Sequence, residues 1–323
     1  MESADRSYPE TTTPSAVKPE DGRDVQAPAG SNEDHAGTAV LLQGVERSCP
    51  TCGGTIMSNG EHTRTAETSF VYAIGQIDYR FPNLGLEKEY AQVAGRTDTT
   101  GLRDRQVAQN VLAEDQNRYL ARQLCWVLRI EGLDTYILQP SDPADFKMLI
   151  EAMGRPYSSD NDVDVVIGLR GPIAPPGMCN GLTVPIVLFD QIYSFDKDTL
   201  VKAIPKPETR EADQFEGDAK DLFSRIVQLA DNAGATDEHR ALNYLAVRYP
   251  EIYHETSRQF TENSSLAAVD VRPSRLSGTR KILDVIFSYT HRQTDVTEKR
   301  FVRVDVTEMF PFLVTKLSPF YER

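Results

Sequence analysis

The chain has no G-x-G-x-x-G and no G-x-x-x-x-G-K-[ST], the two common backbone cradles for nucleotide phosphates. It also has no H-E-x-x-H and no G-x-S-x-G, which removes the familiar zinc-protease and hydrolase nucleophile motifs. No apolar run approaches the ~20 residues needed to span a bilayer as a helix. The opening MESADRSYPE lacks a basic start and an apolar core, so it does not read as a secretory signal. Positive charge is short as well: 35 Lys and Arg stand against 48 Asp and Glu, a formal net charge of −13. A nucleic-acid backbone or an anionic membrane surface is therefore not an expected partner. Only four of the 323 residues are cysteine, too few for a disulfide-stapled secreted module. A reducing cytoplasm is the expected setting.

What is present divides unevenly. Residues 1–47 are rich in Pro, Glu, Asp, Thr, Ala and Gly and nearly free of aromatics. Such a composition cannot bury enough apolar surface to offset ordering entropy, so a disordered acidic tail is expected there. One α+β domain is expected over 48–323. The β-branched and aromatic run Phe70–Ile77 predicts a first strand, and helical patterns follow at Leu84–Val93, Leu102–Glu114 and Asn117–Leu124. Cys125–Gly132 and Thr135–Leu138 predict a hairpin. Asp142-Pro143 predicts a helix start, with an N-cap and Pro at N1. Val163–Leu169 and Val184–Phe189 read as buried strands, 212–260 as mainly helical, and the C-terminus as strands again. Uneven blocks without βαβ alternation argue for a mixed, largely antiparallel sheet.

Cysteine is the most informative residue. Cys49-Pro-Thr-Cys52, followed by Gly53-Gly54, offers two thiolates that converge on one point, which is half of a tetrahedron. A redox pair would call for a helix N-terminus, and none is evident. Cys179 precedes Asn180-Gly181, a pair suited to the left-handed conformation, and resembles a single-thiolate knuckle. Cys125 stands beside Trp126 at the start of a strand, where it also reads as a small core residue. Cys49, Cys52, Cys125 and Cys179 together predict one closed structural zinc site, with His62 as the substitute ligand if Cys125 is core. Such a site has no open position and no hydrolytic role.

Among charged groups, Arg272, Arg275, Arg280 and Lys281 form a basic cluster in an acidic chain. Such a run commonly serves as a solvated strand edge. Here it is also the best local candidate for docking an acidic peptide or a carboxylate. Asp237-Glu-His-Arg240 reads as helix capping and surface pairing, and Ser277-Gly-Thr279 as a turn. The five histidines are scattered, and local sequence nominates no triad.

Several long segments then resemble one family. FVYAIGQIDYRFPNLGLEKEY (70–90), NRYLARQLCW (117–126), GPIAPPGMCNG (171–181), NAGATDEHRALNY (232–244), VRPSRLSGT (271–279) and DVTEMFPFLVTK (305–316) resemble the C-terminal domain of PatA/PatG-type cyanobactin maturation proteases. The subtilisin-like protease of those proteins lies in another region that this chain does not resemble, so no triad carries over. The resemblance implies a non-catalytic companion protein in a pathway that modifies ribosomally made peptides. Its expected partners are a precursor peptide or a modifying enzyme, and a homodimer is left open. A peptide hydrolase or peptide-modifying enzyme with a spatially assembled site is the alternative.

Overall fold

The computed structural model describes residues 69–95, 104–153, 162–204, 211–229 and 231–321. The expected tail over 1–47, the Cys49-Cys52 pair and His62 lie outside them. In chain order the elements begin with β1 (Phe70–Arg80), α1 (Leu84–Ala94), α2 (Asp104–Ala113) and α3 (Arg118–Gln123). There follow β2 (Cys125–Ile130), β3 (Leu133–Pro140), α4 (Phe146–Met153), β4 (Asp162–Ile173) and β5 (Pro185–Asp196). Four helices come next: α5 (Lys197–Ala203), α6 (Ala212–Val227), α7 (Asp237–Arg248) and α8 (Glu251–Thr261). The described chain closes with β6 (Ser264–Pro273), β7 (Ile282–His291), β8 (Thr297–Asp305), β9 (Phe312–Leu313) and β10 (Ser318–Pro319).

The α+β class holds, but the strands form two sheets and not one. β1, β2, β3, β5 and β4 close into a barrel in that order, antiparallel except for the parallel β3–β5 pairing of Ile137–Pro140 with Ile186–Phe189. The second sheet is antiparallel, ordered β10-β8-β7-β6, with β9 also on β8. Closure removes free edges from the barrel, so β6 and the short β9 and β10 carry the exposed edges. β6 is blunted by a bulge near Ala267 and by Asp270, Arg272 and Pro273, the usual devices against unwanted pairing.

Local chemistry explains the element ends. The β2–β3 turn uses Glu131 and Gly132, with φ of 51° and 81°, so β2 ends at Ile130, two residues short of the expected Gly132. Two consecutive left-handed residues match the twist of the flanking strands. Asp142 accepts from Ala144 N at 2.8 Å, although the first turn beyond it is 3₁₀ and the α-helix starts at Phe146. Thr236 Oγ1 caps α7 by accepting from His239 N at 3.2 Å. Arg240 is not a surface residue: it is 2% exposed. Its guanidinium donates to Val306 O at 2.8 Å and to Asp237 at 3.1 Å.

Alternation along β1 feeds two cores. Val71, Ala73 and Ile77 pack with Trp126 and with α1–α4. Tyr72 and Ile74 join α5–α8 and the inner face of the second sheet, including Val285, Phe287 and Val304. The α6–α7 connection locks onto β1 at this boundary. Tyr72 N donates to Gly234 O at 2.9 Å, and Asn243 Nδ2 donates to Tyr72 O at 2.8 Å. Gly234 has φ of 72°, and a Cβ there would meet Tyr72 O at 2.4 Å. Only glycine fits that approach. A third, smaller cluster joins Cys125 and Val127 of β2 and Ile137 of β3 to Ala174 and Cys179 of the β4–β5 connection.

Candidate functional site

Antiparallel register builds a charged rung on one face of the second sheet. Arg272 lies opposite Asp284, and Asp284 lies opposite Arg303. Arg303 Nε donates to Asp284 Oδ1 at 2.9 Å and to Ser274 Oγ at 3.2 Å, so Asp284 is already neutralised. Period-two alternation puts Phe301 on the same face as Arg303. The Arg303 guanidinium lies 4.8 Å from the Phe301 ring centre, and that of Arg272 lies 4.8 Å from Phe320. The two rings meet edge to face, with centres 5.5 Å apart. Phe320 is placed by its backbone N–H, which donates to Lys299 O at 2.9 Å and extends the β10–β8 pairing.

These groups line a cavity of about 560 Å³ together with Pro273, Arg275, Pro319 and Tyr321. Ser274 pins the turn between the two arginines, with its N–H donating to Ile282 O at 2.8 Å. Arg272 and Arg275 have no carboxylate partner among the described residues. Aromatic support holds the Arg272 plane while leaving its fork available, a geometry that accepts carboxylate or phosphate oxygens.

The basic cluster expected from sequence is therefore split. Arg272 and Arg275 reach the pocket, whereas Arg280 pairs with Asp305 and Lys281 Nζ lies 3.3 Å from Asp237. Burial pushes the Asp305 carboxyl up, but Thr307 hydrogen bonds and the Arg280 guanidinium outweigh it and hold it below the usual carboxylate range. Arg280 and Lys281 thus serve internal acids. Arg303, Phe301 and Phe320 complete the pocket and were missed. Their sequence signal was the Phe-x-Arg spacing on a strand, which says nothing of the partner strand.

Two of the four expected cysteine ligands lie among the described residues. Cys125 and Cys179 do converge, with Cα atoms 5.5 Å apart, but their sulfurs are joined in a disulfide. Bonded sulfurs are not thiolate ligands, so in this form the two residues do not offer half of the expected zinc set, whose other half, Cys49 and Cys52, lies outside the described residues. No group of three or more His, Cys, Asp or Glu placed to hold a metal occurs among the described residues. The knuckle geometry itself is present: Cys179, Asn180 and Gly181 have φ of 51°, 53° and 86°. The bridge borders a cavity of about 450 Å³ beside Trp126 and Met178. No described helix is long and apolar enough to cross a membrane.

Comparison with known proteins adds a likeness. Residues 209–320 match the family described as PatG C-terminal, a span that contains the charged rung and Phe320. The solved PatG Domain of Unknown Function aligns over 78% of this chain and 98% of its own, with a TM-score of 0.62 and 21% identity. That likeness establishes the fold. No curated protein matches the chain.

Proposed function

From a chain that carries a PatG C-terminal-type domain over residues 209–320, we propose a non-catalytic companion protein of a cyanobactin-like, peptide-modifying pathway, one that binds an acidic peptide. The peptide is a segment of a precursor or of a modifying enzyme. The observation that carries this reading is the pair Arg272 and Arg275, without carboxylate partners among the described residues, at an aromatic-walled cavity of about 560 Å³. In a chain of net charge −13, a local excess of cation marks where an anion can approach without long-range repulsion overcoming the contact. Charge-assisted, bidentate hydrogen bonds then supply both energy and orientation.

Calorimetric titration with a synthetic Asp/Glu-rich peptide, followed by mass spectrometry of that peptide, tests the reading. Saturable binding with unchanged peptide mass supports a binding module. Binding followed by cleavage or a mass change would turn the assignment to the enzyme alternative, and absence of binding would remove the pocket from the account.

A further inference from the structure

The pocket's charge inventory says more about its ligand, an inference that rests on the peptide-binding reading above. Across β6, β7 and β8 the rung runs Arg272, Asp284, Arg303. Asp284 is 6% exposed and is engaged by Arg303, so that pair contributes no net charge. Arg272 and Arg275 remain, two cations that flank the pinned Ser274. A single carboxylate satisfies one guanidinium fork and leaves the other facing a desolvated ligand. Two carboxylates satisfy both.

The cavity is lined by two separate stretches of chain, the end of β6 with Pro273 and Arg275 and the C-terminal segment Pro319–Tyr321. Two arginines three positions apart in sequence ask for two carboxylates held close together. One kind of peptide end carries two carboxylates on a single residue: a C-terminal Asp or Glu with a free α-carboxyl. Tyr321 is 79% exposed at the rim, where it offers an amphipathic face to the residue before that end. We propose that the pocket recognises a peptide C-terminus whose last residue is acidic, reading the α-carboxylate and the side-chain carboxylate together through Arg272 and Arg275.

Four versions of one fluorescein-labelled peptide separate the possibilities, ending in Glu with a free acid, Glu amide, Gln with a free acid and Gln amide. Anisotropy titration of the full chain should show the Glu free acid binding about tenfold tighter than either single-carboxylate version, one charge-assisted contact apart. The Gln amide should be weakest. Arg272→Ala and Arg275→Ala, both at exposed positions, should each bring the Glu free acid to the single-carboxylate level with an unchanged circular dichroism spectrum. Equal binding of Glu free acid and Glu amide would overturn the terminal reading while peptide binding stands. Inorganic phosphate displacing the peptide at a concentration near the peptide's own Kd would overturn it too, because any dianion would then serve. If none of the four binds, the peptide-binding reading itself fails.

Discussion

Asp284 accepts from Arg303 at 2.9 Å while Arg272, its neighbour on the opposite strand, is held over Phe320 instead. One acid therefore stands between two arginines and neutralises only one. Asp284→Asn should weaken the Arg303 contact and lower stability by about 1–2 kcal/mol. The same change leaves Arg303 without its acid and adds an uncompensated cation to the pocket, so affinity for an acidic peptide should rise. Urea unfolding and peptide titration on the same variant check the two opposite directions.

Arg280 looks like Arg272 in sequence but should behave differently. Asp305, 1% exposed, relies on Arg280 and Thr307 for its hydrogen bonds. Its carboxyl is held below the ordinary range, so this contribution is present above the unfolded carboxylate pKa and is lost as pH falls through the folded value. Arg280→Ala should cost about 1–3 kcal/mol at neutral pH. The deficit should shrink towards zero in acid, where Asp305 is protonated in both proteins. Denaturant unfolding at neutral and acid pH measures it.

Gly234 is where the α6–α7 connection touches β1 backbone. Gly234→Ala would force a Cβ to within 2.4 Å of Tyr72 O at a φ of 72°. A loss of at least ~2 kcal/mol in folding stability is expected. Thermal unfolding should show a lower midpoint, whereas Gly217→Ala, at a helical position with open space around it, should leave the midpoint unchanged or raise it.

Local patterns in the sequence carried most element positions. Phe70–Ile77, the Asp142 cap and the helical block over 212–260 each announce themselves through period or capping chemistry. Barrel closure does not, because the β1–β4 pairing and the parallel β3–β5 pairing join distant segments whose register is set by packing. The pocket was half legible for the same reason. Arg272 and Arg275 stand out as charge in an acidic chain, but nothing local distinguishes them from Arg280 and Lys281. Only the register that puts Arg272, Asp284 and Arg303 in one rung does so. The convergence of Cys125 with Cys179 was legible from the number of cysteines, and the bond between them was not.

The bridge makes its own prediction. Non-reducing digestion and mass spectrometry should recover Cys125 and Cys179 in one linked peptide pair. Because the bridge spans 54 residues of sequence, Cys179→Ser should cost about 2–4 kcal/mol. Disulfides persist in oxidising surroundings and are reduced in a reducing cytoplasm, so the same digestion on freshly lysed, alkylated cells shows which form the protein takes there. Cysteines that react only after chelation, with about one zinc released per chain, would instead restore the four-thiolate site expected from Cys49, Cys52, Cys125 and Cys179.

The central claim is that Arg272 and Arg275, and not the whole basic run, bind an acidic peptide. The most direct measurement compares peptide affinity of the wild type, Arg272→Glu/Arg275→Glu and Lys281→Glu at low and physiological salt. Wild-type affinity should weaken as salt rises, since exposed charges are screened over about 8 Å at physiological ionic strength. The double reversal should abolish binding, and Lys281→Glu, which alters a cation already beside Asp237, should change it little. Unaltered affinity in the double reversal, or an equal loss in Lys281→Glu, would contradict the account.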